Sequence, residues 1–149
     1  MGSLSHWVHR YFVDNGASSW WLTGLRNTLL ITVLALCIGV VLGFTVAIIR
    51  STYEQTGKLK VLNAICSFYV ALFRGTPMVV QLLVFYYVLL PIIGLKITGV
   101  QVAMMVFGLN SGAYISEIMR SGIQSVDPGQ MEAGRAVGLS FGTSMIKIV

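Results

Sequence analysis

Three stretches of this chain run for 20 residues or more without a charged side chain, at 27–49, 75–95 and 97–116. Nothing else constrains the fold as tightly. About 20 apolar residues make a helix long enough to cross a hydrocarbon core of roughly 30 Å. A fourth charge-free run, residues 61–73, holds 13 residues, only about 20 Å of helix at 1.5 Å per residue. Soluble packing offers no way out: 56% of the 149 residues are hydrophobic and 10% charged, and a domain this small cannot bury that much apolar surface. The expected fold class is all-α, a polytopic transmembrane helical protein.

The net charge of +5 does not point to nucleic acid. Lys and Arg stand singly at the ends of apolar runs, with no cluster or stripe, and read as topology signals. Cys37 and Cys66 lie inside apolar runs and read as reduced fillers. His6 and His9 share an aromatic-rich stretch with Trp7, Tyr11 and Phe12, which fits an amphipathic segment at the membrane surface better than a metal pair. No metal site is expected. The start lacks the basic region of a signal peptide, and the first apolar run is too long for one. His6 occupies the position where a myristoylation signal needs Ser or Thr.

Residues 1–24 form an N-terminal extracytoplasmic or interfacial segment, with a turn at Asp14-Asn15-Gly16 and an aromatic anchor at Trp20 and Trp21. The first span covers 25–49. Gly39 and Gly43 are spaced for close approach of a second helix, although such pairs also occur generally in membrane helices. Arg50, Lys58 and Lys60 outweigh Glu54 in the next linker, so the positive-inside rule places it in the cytoplasm and the N-terminus outside. Residues 59–73 read as a short helix at, or dipping into, the inner side, broken by Arg74-Gly75-Thr76-Pro77. A second span, 76–95, rises with Pro77 in its first turn, and a third returns over 98–119. Arg50, Lys58, Lys60, Arg74, Arg120, Arg135 and Lys147 then lie inside, against Arg10, Arg26 and Lys96 outside.

Beyond the third span, residues 128–137 predict a helix of little more than two turns, too short to stand alone. Asp127 caps it, Pro128 suits its first position, Gln130 has capping-box spacing, and Gly138 suits the left-handed residue after its end. Ala133 and Gly134 permit close approach, while Glu132 and Arg135 offer one charge of each sign to a partner. An ordinary amphipathic loop has the same features. Arg74, with Gly75, Thr76 and Pro77, reads either as a charge anchor or as part of an inner gate. Gln81, Asn110 and Ser111 are polar groups near or within spans; lining a solute path and bonding between helices are both open for each. Glu117 can pair with Arg120 three residues on or face the path.

Glu132-Ala133-Gly134, three residues, Gly138, nine residues and Ile148 resemble the signature E-A-A-x3-G-x9-I-x-L-P of membrane subunits in binding-protein-dependent ATP-driven importers. Residues 73–83 and 110–126 resemble stretches typical of the polar amino acid branch, and residues 24–149 all fit the pattern. Gly134 stands where the signature usually has alanine. The resemblance implies an incomplete type I ABC importer permease core over 25–149, without the family's Leu-Pro and last two helices, as in a fragment or a gene product cut short. It implies uptake of a polar amino acid, no enzymatic activity in this chain, and coupling through Glu132, Ala133, Gly134, Arg135 and Gly138. The implied partners are an ABC ATPase dimer carrying ATP and Mg, a second permease subunit, an extracytoplasmic amino-acid-binding protein and the lipid bilayer of a bacterial inner membrane. No phosphate-binding loop occurs in the sequence, so no nucleotide cofactor is expected on this chain. The competing readings are a membrane assembly protein that does not transport and a fragment of a secondary transporter. The latter would show discontinuous helices at the membrane midplane.

Overall fold

The structure is a computed structural model that describes residues 2–11 and 17–148. The described residues are helical or irregular: α1 (Gly2–His9), α2 (Ala17–Thr56), α3 (Lys60–Gly75), α4 (Met78–Val84), a π-helical turn (Phe85–Leu89), α5 (Leu90–Ile92), α6 (Gly99–Gln124), α7 (Pro128–Ala136) and α8 (Phe141–Lys147). The expected turn at Asp14–Gly16 lies outside the described residues.

Two of these helices are long and apolar enough to cross a membrane, within Ser19–Thr56 and Gly99–Gln124. A third crossing is present if α3 and the helix from Met78 to Ile92, bent by 109° at their junction, count as one. The all-α, membrane-spanning class therefore stands. The helices differ in extent from the sequence expectation. α2 begins ahead of residue 25 and continues beyond 49, because the polar residues at its ends keep the helix going outside an apolar core. Its threonines accommodate themselves: Thr28, Thr32 and Thr45 each donate their hydroxyl to the carbonyl four residues back, so no bare hydroxyl faces lipid. α6 likewise runs on to Gln124.

The expected break at 74–77 is present. Pro77, at φ −63° and ψ 135°, caps α4 in an extended conformation and does not occupy its first turn. The span above it is not a uniform α-helix. Leu90 N–H reaches Phe85 O, five residues back, just ahead of Pro91. A proline ring crowds the carbonyl of residue i−4 and provides no N–H, and the widened π turn takes up that misfit. α6 opens with a full capping box at Thr98. Its hydroxyl accepts from Gln101 N–H at 3.4 Å, and Gln101 Oε1 accepts from Thr98 N–H at 2.8 Å.

α2 and α6 pack along each other through glycine. A Cβ added at Gly39 would lie 2.7 Å from Ser111 Cβ, and one at Gly43 2.6 Å from Ile115 Cγ2. From the other side, a Cβ at Gly108 would meet Ile38 Cγ2 at 2.7 Å, and one at Gly112 would meet Leu42 Cβ at 3.0 Å. The Gly39/Gly43 pair thus forms a specific interface, matched by a glycine pair on α6. Without a hydrophobic drive between helices in lipid, such backbone proximity is a main source of association. α3 closes on this pair: Cys66, Val70 and Phe73 are buried with Val46 of α2 and Ala113 of α6, and Tyr69 Oη donates to Leu109 O. Leu90, Val102 and Val106 form a second buried cluster at the far end.

Candidate functional site

One end of the bundle carries nearly all its described ion pairs, centred on Glu117. Oε2 accepts from Arg50 of α2 at 2.7 Å and lies 3.6 Å from an Arg74 nitrogen at the end of α3. Oε1 accepts from Arg120, whose Nε is 2.9 Å away and whose second guanidinium nitrogen also pairs with it. Arg120 continues to Glu54 of α2 at 3.1 Å, and Gln124 donates to the other Glu54 oxygen at 2.8 Å. Arg74 also stands over the Tyr114 ring, 5.3 Å from its centroid. The local Glu117–Arg120 pair expected from the sequence is present as one arm of a larger assembly. Side-chain exposure is 14% for Arg50, 17% for Glu117 and 21% for Arg120, against 40% for Arg74, so removing the carboxylate would strand the Arg50 and Arg120 guanidinium groups away from water.

The break beside Arg74 has its own hydrogen bonding. Gln81 Nε2 donates toward Phe73 O at 2.9 Å, Thr76 O at 3.0 Å and Thr76 Oγ1 at 2.9 Å. Thr76 Oγ1 donates in turn to Leu72 O at 2.7 Å. Phe73 O is a carbonyl that the ending helix leaves without an intrahelical donor, and Gln81 is buried while serving it and the Thr76 cap. Its Oε1 and the Oδ1 of buried Asn110 have no hydrogen-bond partner. Ser111 borders an open groove of about 500 Å³ with Thr28, Thr32, Met78 and Phe107.

A linker of residues 125–127 joins α6 to α7. Asp127 Oδ1 accepts from Gly129 N–H at 2.7 Å. The cap therefore reaches the second helical residue, and the capping box expected with Gln130 is not formed. The far end is a Schellman closure: Gly138 N–H bonds Arg135 O at 3.0 Å and Leu139 N–H bonds Gly134 O at 3.1 Å. Gly138 sits at φ +89°, the left-handed conformation that glycine adopts without a Cβ clash. Gly134 is buried against α8, where an added Cβ would lie 2.5 Å from Ile148 Cδ1 and 2.9 Å from Ser144 Oγ. Glu132, Ala133, Arg135 and Val137 are exposed. Sequence reasoning did not foresee α8, whose start is marked by Ser140 accepting from Thr143 N–H. Nor did it foresee Arg50 and Glu54 as partners of α6, although Arg50/Glu54 and Glu117/Arg120/Gln124 have the spacing of single helix faces. Among the described residues, no group of three or more His, Cys, Asp or Glu could hold a metal.

A kinked helix bundle with a glycine seam, a charged end and a short capped helix beyond it has the architecture of a transporter membrane subunit. The chain belongs to the family described as binding-protein-dependent transport system inner membrane component, which it matches over residues 39–149. It is 39% identical over 125 residues to the arginine transport system permease protein ArtQ of Bacillus subtilis, covering 83% of this chain and 54% of that protein. The putative glutamine transport system permease protein GlnP of Rickettsia prowazekii is 39% identical over 118 residues, covering 79% of this chain and 52% of its own length. The L-cystine transport system permease protein TcyB of Bacillus subtilis is 34% identical over 126 residues, covering 85% and 51%. The crystal structure of an amino acid ABC transporter with histidines superposes with a TM-score of 0.75 at 35% identity, over 91% of this chain and 60% of the other. The chain spans about half the length of the curated relatives it matches. Membership in a family of transport membrane components agrees with a non-enzymatic permease subunit.

Proposed function

We propose that this chain belongs to a permease subunit for ATP-driven uptake of a polar amino acid, coupled to a separate ATPase through α7. The observation that carries the reading is α7 itself. It is capped at both ends, held from behind by α8 on Gly134, and leaves Glu132, Ala133, Arg135 and Val137 exposed, with Glu132 and Arg135 lining a cleft shared with Glu54 and Gln124. A two-turn helix holds together only through caps and packing of this kind, and they leave its exposed residues available to another body. The relatives named for arginine, glutamine and cystine transport support the substrate class. The further partners are a second permease subunit and an extracytoplasmic binding protein, and the site of action is a bacterial inner membrane with the charged end in the cytoplasm.

Reversing the charge at Glu132 tests the coupling role. In the full-length chain, Glu132→Lys should insert normally, co-purify poorly with the ATPase and lose amino-acid-stimulated hydrolysis by about tenfold or more, as expected when a charge is turned against a desolvated partner. Normal stimulation in liposomes would reduce α7 to a plain loop.

Orientation is tested by labelling. Gln55 and Lys96 are both exposed. A cysteine at Gln55 should react with an impermeant maleimide only after the cytoplasmic face is opened, and one at Lys96 should react in intact cells. Labelling of Gln55 from outside would overturn the orientation, and α7 would then face away from any cytoplasmic ATPase.

A further inference from the structure

We propose that Glu117 is a positioning residue that fastens the Arg74–Pro77 break to α2 and α6, so that a displacement of α7 is carried to the break. The inference rests on the importer reading above and adds to it a route between the docking helix and the kink.

Geometry supplies each link. α7 follows α6 after residues 125–127 only, with Ser125 Oγ bonded to the end of α6 at Gly122 O and Asp127 bonded to the start of α7, so the short chain itself is the link between them. A push on α7 therefore arrives at the last turns of α6. Glu117 lies there, and its carboxylate is the point where α2, α3 and α6 meet. Both described side-chain contacts of Arg74, Glu117 at 3.6 Å and the Tyr114 ring at 5.3 Å, lie on α6. The residue that opens the break thus travels with α6. Direct service in the solute path is the weaker role for Glu117. One oxygen is occupied by Arg120 and the other by Arg50 with Arg74 beside it, so a substrate ammonium would first have to displace a guanidinium.

The test uses the full-length permease with its ATPase and binding protein in liposomes. Spin labels are placed on cysteines at Gly75 and Gly122, where an added Cβ meets nothing within 4 Å, in a chain freed of other cysteines. The parent complex should give one narrow label-to-label distance with or without nucleotide. Glu117→Gln leaves three guanidinium groups without their shared carboxylate and could fail to fold, so Arg74→Gln is the second variant; it keeps the Arg50 and Arg120 arms. Arg74→Gln should broaden the distance distribution and lower uptake about tenfold, a typical coupling between sites, while ATP hydrolysis stays within about twofold. Glu117→Asp, if folded, should recover much of the uptake lost in Glu117→Gln. A parental distance distribution and parental uptake in Arg74→Gln would overturn the proposal. So would a raised KM for the amino acid in Glu117→Asp with an unchanged distribution, which marks Glu117 as a substrate contact. Absence of ATP-driven uptake in the parent complex would sink the importer reading, and the label widths would still decide for or against the fastening role.

Discussion

A leucine at Gly43 should break the pairing of α2 with α6 and lower the stability of the protein by about 3 kcal/mol, the upper end for forcing bulk into a packed interior. Even the first carbon of that side chain would stand 2.6 Å from Ile115 Cγ2, 2.7 Å from Ile115 Cβ and 3.1 Å from Gly112 O. Of these atoms only the first can rotate away, since the other two are fixed by the backbone of α6. The helices must separate, and the approaches at Gly39, Gly108 and Gly112 open together. In lipid the lost proximity is not replaced by burial elsewhere, because the tails are as apolar as the side chains they would touch. Gly24→Leu is the matched control: it adds the same volume on the same helix where nothing lies within 4 Å. Unfolding in detergent, followed by circular dichroism, reads the difference. A curve for Gly43→Leu that overlays the control would show that the two helices do not meet along this seam.

The second large effect is expected at Gln81. Gln81→Leu keeps the size of the side chain and removes the donor that serves Phe73 O, Thr76 O and Thr76 Oγ1. Of these acceptors Phe73 O belongs to a buried residue beside an apolar cavity of about 160 Å³ lined by Leu72, Phe73, Val80 and Val84, so it is left unpaired, whereas Thr76 is exposed. Loss of the amide oxygen offsets part of this cost, since Oε1 already lacks a partner. The net loss should be about 2 kcal/mol, within the range for leaving buried acceptors unpaired. The break should loosen at the same time, raising the reactivity of a cysteine at Gly75 toward a water-soluble maleimide about tenfold. A residue that lined the solute path would behave otherwise, changing which amino acid is taken up and leaving stability and Gly75 reactivity alone.

These two positions also show what the sequence could and could not disclose. The charge-free runs located the apolar helices, and Arg74-Gly75-Thr76-Pro77 marked the kink, because length and proline act locally. Gly138 was legible for the same reason: a glycine after a short capped helix answers a local backbone need. Gln81 was not. A lone amide in an apolar segment has the same sequence pattern whether it lines a path or completes the hydrogen bonds of a neighbouring helix end. Glu117 exposed only its near partner, three residues away. Arg50 is 67 positions distant, and nothing in a single chain says that the two faces meet. A capping box forms at Thr98 and Gln101, where none was expected, whereas the expected spacing at Asp127 and Gln130 is not used as a box. A short carboxylate one residue before proline bonds the nearer N–H, at Gly129.

The π turn at Phe85–Leu89 changes how the whole second membrane segment should be divided into faces. An α-helix advances about 100° per residue, so a turn that encloses one residue more than usual offsets everything after it by about that angle. A helical wheel drawn straight through 78–95 therefore assigns Pro91, Ile92 and Ile93 to the wrong side relative to Gln81. The turn acts as a phase shift set into the segment: shortening it by one residue would realign the hydrogen bonds as an ordinary helix and swing the Gly94–Lys96 loop around the axis, with no change of side chain at either end.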